Sequence, residues 1–221
     1  MKKTLFTLVP LAELMAVVAL LYGCSNLNAR LAKDVTGVWQ STPEAFSDNS
    51  ALSATIVDTY EFGQAGMTAN ETLTGPLTIS GMVNVNTQVV SDTTGVQPTA
   101  ISAAARTSVS GTWTVIDEDE ISISIDLTTL TVDVDPAAVA ASVGSFGTAY
   151  PQIDSLRPSI ASGIEASIKQ ALTLRYGSLT HMDDVSVKGN LLKYEIADTD
   201  FVLTRQSAAE EIPETKRYYP S

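Results

Sequence analysis

The chain has 221 residues, with 13 Lys and Arg against 25 Asp and Glu and a formal net charge of -12. This acidity excludes an electrostatic nucleic-acid binder, because phosphate contacts need a basic surface. One cysteine excludes an intrachain disulfide, and one histidine excludes a His-rich metal site. An apolar fraction of 44% is too high for a disordered chain, so a folded domain is expected.

The first 24 residues differ in composition from the rest of the chain. Lys2 and Lys3 precede an almost wholly apolar stretch, residues 4–22, which is followed by Gly23 and Cys24. A basic start, an apolar core and a small residue before the cleavage point are typical of a secretory signal.

Cys24 is the only cysteine and lies where the mature chain would begin. The segment Leu21–Cys24 (LYGC) resembles the lipobox of bacterial lipoproteins. The resemblance implies that the Cys24 thiol carries acyl chains, such as palmitate, that anchor the protein in a membrane. Each buried methylene contributes about 0.8 kcal/mol, so two or three chains would hold the domain firmly. Ser25 rather than Asp at the next position implies the outer membrane, and the periplasmic face is expected.

The alternative for residues 4–22 is an uncleaved transmembrane anchor, because this length nearly spans a bilayer. Pro10 and Glu13 inside the stretch favour the cleaved signal. The sequence therefore divides into a lipoprotein signal peptide (1–23), a lipidated tether (24–33), a folded β domain (34–206) and a polar C-terminal tail (207–221).

Apolar and hydroxyl residues alternate along most of the β domain. Ile56, Asp58, Tyr60 and Phe62 share one strand face, and the segments 111–115 and 121–127 alternate in the same way. This period of two predicts strands with one buried face, and the turn residues between them indicate an antiparallel meander that closes on itself. The predicted strands after the first are 56–62, 67–73, 77–90, 100–109, 111–115, 121–127, 185–188, 191–196 and 201–205.

One segment has a helical period instead. Apolar residues recur every four positions from Leu156 to Leu172, which predicts a helix over Ser155–Leu174 that packs on the sheet. Pro158 falls in its first turn, where a missing N–H is tolerated. A shorter helical turn is predicted after Pro136.

A Gly-x-Trp motif, Gly37-Val38-Trp39, begins the first strand, and Arg205 lies in the last strand on the same face as Phe201 and Leu203. This combination resembles the calycin signature of lipocalins, and the chain is similar to the bacterial lipocalin-like lipoproteins of Bacteroides-type organisms. The resemblance implies that Trp39 closes one barrel end and stacks on Arg205.

The predicted fold class is therefore mainly β, a lipocalin-like antiparallel barrel with one helix packed outside. In lipocalins the helix follows the last strand, whereas here the predicted helix precedes the final three strands. A β-sandwich thus remains an alternative to the closed barrel.

No catalytic motif is found, so an enzyme is not expected, and neither a cofactor nor a metal site is predicted. His181 is interpreted as a solvated loop residue, and residues 117–120, which carry four adjacent carboxylates, are interpreted as a solvated hairpin turn. The favoured function is binding of a small hydrophobic or amphipathic ligand inside the barrel, lined by Tyr60, Phe62, Trp113, Val115, Ile123, Ile125, Tyr194 and Phe201. The alternative is an envelope interaction or scaffold protein with a filled barrel and an unidentified protein partner.

The lipid anchor can be tested by replacing Cys24 with Ser. The wild-type chain, expressed in a bacterial host with a clickable palmitate analogue, should be labelled, and the Cys24→Ser variant should not, because a serine hydroxyl does not replace the acylated thiol. Ser25→Ala is the control and should keep the label. Label retained by Cys24→Ser would exclude a lipoprotein.

Overall fold

The computed structural model describes residues 27–45, 53–89, 99–143, 148–149 and 153–206. It contains the helices α1 (27–35) and α2 (Ile153–Ser178) and a short 3-10 turn at Pro136–Ala138. The strands are β1 (Gly37–Ser41), β2 (Glu44–Ala45), β3 (Ala54–Phe62), β4 (Gly66–Met67), β5 (Leu73–Val89), β6 (Thr99–Asp117), β7 (Glu120–Val134), β8 (Ala140–Val143), β9 (Thr148–Ala149), β10 (His181–Lys188), β11 (Leu191–Ile196) and β12 (Thr199–Arg205).

Eight antiparallel strands form a closed barrel. Their order around the barrel is β1, β3, β5, β6, β7, β10, β11 and β12, and β12 pairs with β1 to complete the circle. The order follows the chain, as in an up-and-down meander, with α2 inserted between β7 and β10. The predicted mainly β barrel with a helix packed outside is therefore confirmed, and the sandwich alternative is wrong.

The strands β5, β6 and β7 continue beyond the barrel as a ribbon. Buried residues such as Val83 on β5, Ala105 on β6 and Val134 on β7 lie on its inner face. The buried face of α2, which includes Ile164 and Ile168, belongs to the same apolar cluster. The helix thus covers the ribbon and ends, at residues 175–178, beside the mouth of the barrel.

The opposite end of the barrel is closed by Trp39, Arg205 and α1. Trp39 is fully buried, and the Arg205 guanidinium carbon lies 4.0 Å from the centre of its ring. Arg205 Nη1 and Nη2 donate to the carbonyls of Thr36 and Asp34 at 3.0 and 2.6 Å. Trp39 Nε1 donates to the Val35 carbonyl at 2.7 Å. The end of α1 therefore has its free carbonyls satisfied by the two side chains that the sequence singled out.

Gly37 is required by this arrangement. Its φ of +136° is a conformation that side chains rarely adopt, and a Cβ would lie 2.7 Å from Arg205 Nη1. The Gly-x-Trp motif thus combines a residue that leaves room for the arginine with a residue that stacks on it.

The structure differs from the sequence prediction in several segments. The predicted strands 100–109 and 111–115 are one continuous strand, β6. Residues 27–33, assigned to the tether, lie in α1, where Leu31 and Ala32 are buried against the barrel end. The predicted strand 67–73 is mostly a turn, because Thr68 bonds with Thr72 across it and Glu71 has a φ of 60°. His181 begins β10 instead of lying in a loop.

Replacing Arg205 with Ala tests the closed end. The variant should lose about 2 to 3 kcal/mol in the free energy of unfolding, because the α1 carbonyls and the Trp39 face lose their partner. Arg30 is the matched control, since it lies on α1 in an exposed ion pair with Asp34, and Arg30→Ala should change stability by less than about 0.5 kcal/mol. Stability is measured by denaturant titration of the full chain in detergent. Equal losses of stability in Arg205→Ala and Arg30→Ala would contradict a specific role for Arg205.

Candidate functional site

The inside of the barrel is densely filled towards the closed end. Phe62 packs edge-on against Trp113, with ring centres 5.7 Å apart, and Trp113 Nε1 donates to the Gly63 carbonyl at 3.2 Å. Of the eight predicted lining residues, Ile125 and Phe201 are half-buried, and the other six are buried. Most of the predicted lining therefore forms core packing.

A cavity of about 170 Å³ remains at the mouth of the barrel. Three of the predicted lining residues, Tyr60, Tyr194 and Phe201, contribute to its wall, whereas the other five do not. The Tyr194 and Phe201 rings are stacked with their centres 5.3 Å apart. The rest of the wall comes from Ile196 and from the end of α2 and the residues around it, namely Arg175, Tyr176, Ser178 and Leu179.

A buried carboxylate attaches the end of α2 to the barrel. Asp58, on the inward face of β3, is fully buried. The Tyr176 hydroxyl donates to its Oδ1 at 2.8 Å, and Arg175 Nη2 donates to its Oδ2 at 3.2 Å. The same Arg175 nitrogen donates to Glu44 Oε2 on β2 at 2.9 Å. Two adjacent helix residues are thus held by two strands through one shared ion-pair network.

The sheet leaves space for this carboxylate at Gly81. Asp58, Gly81 and Thr107 are directly opposite one another on β3, β5 and β6. A Cβ at position 81 would lie 2.4 Å from Thr107 Oγ1 and 2.9 Å from Asp58 Oδ1. Glycine at this position therefore makes room for the polar row inside an otherwise apolar barrel.

Burial is the largest single effect on the protonation equilibria of this network. Burial raises the pKa of Asp58, and the opposing effects of Arg175 and Tyr176 only partly offset it. Burial lowers the pKa of Arg175, but the Asp58 and Glu44 carboxylates outweigh it, so the net shift is upward. Burial also raises the pKa of Tyr60, Tyr176 and Tyr194. The tyrosine hydroxyls around the cavity are therefore protonated at neutral pH and can donate hydrogen bonds.

Arg175 has hydrogen-bond donors that no described residue uses. Its hydrogen bonds to described residues all come from Nη2, so Nε and Nη1 are not used by any residue in that part of the chain. Since Arg175 lines the cavity, the wall combines aromatic and aliphatic surfaces with a cationic donor. Such a wall suits a molecule with an apolar body and one polar acceptor group.

Sequence reasoning missed the network that shapes the cavity. The available signal was Asp58, an acid within the apolar inward row of Ile56, Tyr60 and Phe62. A charge on a buried strand face needs a partner. The partners themselves, Arg175 and Tyr176, lie more than 100 residues away on a helix whose position depends on the fold.

Comparison with known protein families, with curated proteins and with solved structures gave no match. The class that the fold defines is thus a closed, eight-stranded antiparallel barrel. Within the described ranges, neither helix has the length and apolarity to cross a membrane. Cys24 lies outside the described residues, as does the predicted tail from 207 to 221.

The buried carboxylate can be tested through the pH dependence of stability. Because the pKa of Asp58 is raised in the folded state, its contribution is largest below the ordinary value of 3.8 and decreases as pH rises through the folded pKa. Denaturant titrations between about pH 4 and pH 7 should therefore show the stability difference between wild type and Asp58→Asn moving in favour of the variant as pH rises.

The exposed Asp133 provides the matched Asp→Asn control for removing a surface charge. The stability difference between wild type and Asp58→Asn could instead move in favour of the wild type as pH rises, with no such change for Asp133→Asn. That result would show that the Arg175 ion pair, and not burial, determines the direction of the Asp58 pKa shift.

Proposed function

We propose that this protein is a lipid-anchored lipoprotein of the bacterial cell envelope whose lipocalin-like barrel binds a small amphipathic molecule without catalysis. The observation that carries the binding proposal is the cavity at the barrel mouth, where Tyr60, Tyr194 and Phe201 meet the Arg175 side chain. The anchor rests on the sequence before Cys24, and with it the outer membrane and its periplasmic face as the location.

The cavity volume limits the size of the ligand. An apolar cavity of about 150 Å³ in another protein accepts benzene, so about 170 Å³ suits a single ring or a chain of similar size. A longer molecule would place one end in the cavity and leave the rest outside the mouth. Trp113 and Phe62 fill the barrel interior between the cavity and the closed end, so deeper insertion of a ligand would require repacking of the core.

The polar groups select a ligand with a hydrogen-bond acceptor. Arg175 Nε and Nη1, which no described residue uses, can donate to a ligand, whereas the Asp58 and Glu44 carboxylates and the Tyr176 hydroxyl are already engaged within the network. An alcohol, carbonyl or carboxylate group near Arg175 would accept from these two nitrogens. Phe201, Ile196 and Leu179 would cover the apolar part.

The alternative function is an envelope interaction protein with a filled barrel. This alternative is supported by the dense packing of the barrel interior towards the closed end, where the two tryptophans are fully buried. The two functions differ in whether the mouth cavity takes up a small molecule, and that difference is measurable.

Native mass spectrometry of the full chain in detergent, before and after denaturing extraction, tests the binding proposal. A reproducible extra mass released on denaturation is expected, with a composition small enough for the cavity. A bare protein mass, unchanged after incubation with an envelope lipid extract, would favour the interaction protein.

A titration with 4-fluorobenzyl alcohol, followed by 19F NMR, tests the position of the site. Ile196→Trp should weaken binding at least about tenfold, because the indole fills a cavity that is small for a ligand. Val202→Trp, at an exposed position on β12, should leave binding unchanged. Equal binding by both variants would exclude the mouth cavity as the site.

A further inference from the structure

Three side chains with metal-binding chemistry converge on the outer surface of the barrel, away from the mouth cavity. They are Glu120, the first residue of β7, and His181 and Asp183 on β10. In the β7–β10 pairing, Met182 is opposite Ile121, and both are fully buried. Because side chains alternate along a strand, the residues that flank this pair point outward.

The ligand atoms of the three residues lie within 4.8 Å of one another. His181 Nε2 lies 3.3 Å from Asp183 Oδ1 and also contacts Glu120 Oε1. A ring nitrogen carries at most one proton and donates one hydrogen bond well, so one of the two carboxylates gains little from this nitrogen. A cation between the three atoms would engage them all.

We propose that Glu120, His181 and Asp183 bind a divalent transition-metal ion, for which Zn²⁺ is the best match. One imidazole and two carboxylates are ligands that Zn²⁺ accepts, with water at the fourth position, whereas Ca²⁺ and Mg²⁺ prefer oxygen ligands throughout. Tetrahedral Zn²⁺ with bonds of about 2.0 Å separates its ligand atoms by about 3.3 Å. The distance between His181 Nε2 and Asp183 Oδ1 already fits this value. Rotation of the partly exposed Glu120 side chain would lengthen the distance between His181 Nε2 and Glu120 Oε1 towards it.

The surroundings of the three residues attract a cation. Glu195 on β11 is opposite Asp183, and Asp184, Asp198 and Asp200 are close to it. Desolvation and these three carboxylates raise the pKa of Glu195, in keeping with the negative charge around it.

The position gives the metal a structural role. The ladder between β7 and β10 has two residue pairs, His181 with Ser122 and Met182 with Ile121, yet it closes the barrel after the long insertion of α2. A metal held by Glu120 from one strand and by His181 and Asp183 from the other would cross-link this seam. Zn²⁺ should therefore raise the stability of the folded state.

The single histidine makes the test direct, because every imidazole NMR signal of the chain belongs to His181. Stoichiometric Zn²⁺, added to the EDTA-treated full chain in detergent, should shift these signals and place the ring proton on Nδ1, since Nε2 becomes the ligand. It should also raise the midpoint of thermal unfolding.

Glu120→Gln and Asp183→Asn should each weaken Zn²⁺ binding at least about tenfold, and His181→Gln should abolish the stabilisation. Glu118→Gln, which removes an exposed carboxylate in the same hairpin, is the control and should bind as the wild type does. His181 signals that do not respond to stoichiometric Zn²⁺, or a stabilisation that is equal in all four variants, would overturn the proposal. Circular dichroism of each variant without metal shows that loss of binding is not loss of fold.

Discussion

The buried carboxylate of Asp58 is the constraint on which the barrel mouth depends. It requires a glycine opposite it on β5, and it requires cationic and hydroxyl partners that no neighbouring strand supplies. The end of α2 provides both, so the cost of burying a charge is offset by fixing the helix to the barrel. The cavity beside Arg175 and Tyr176 is the space left over by this arrangement.

An arginine lies at each end of the barrel, and the two arginines make different kinds of contact. Arg205 stacks on a tryptophan and neutralises the carbonyl end of α1, without a carboxylate partner among the described residues. Arg175 instead pairs with two carboxylates, and its Nε and Nη1 are not used by any described residue. The first end is therefore a packed closure, whereas the second retains polar groups that a ligand can use.

The local patterns of the sequence predicted most of the fold. Alternation along β3, β6 and β7 and the four-residue period of α2 are properties of single segments, and the pairing of Trp39 with Arg205 followed from a resemblance. The predictions failed where long-range packing decides. Residues 27–33 are predicted to be part of a tether, whereas they are helical and Leu31 and Ala32 are buried at the barrel end. Arg175 meets Asp58, and His181 meets Glu120, only after strands distant in the chain have been brought together.

The helix α1 has a consequence for how the barrel meets a membrane. Its described part starts at residue 27, three positions after Cys24, and lies beside Asp119 of the β6–β7 hairpin and Val185 at the closed end. Three residues span at most about 11 Å, so the proposed acylation of Cys24 would hold the closed end next to the lipid headgroups. The mouth would then open away from the bilayer, and a ligand of the proposed kind would reach it through water instead of by lateral transfer from the membrane. That route favours an occupant with some aqueous solubility.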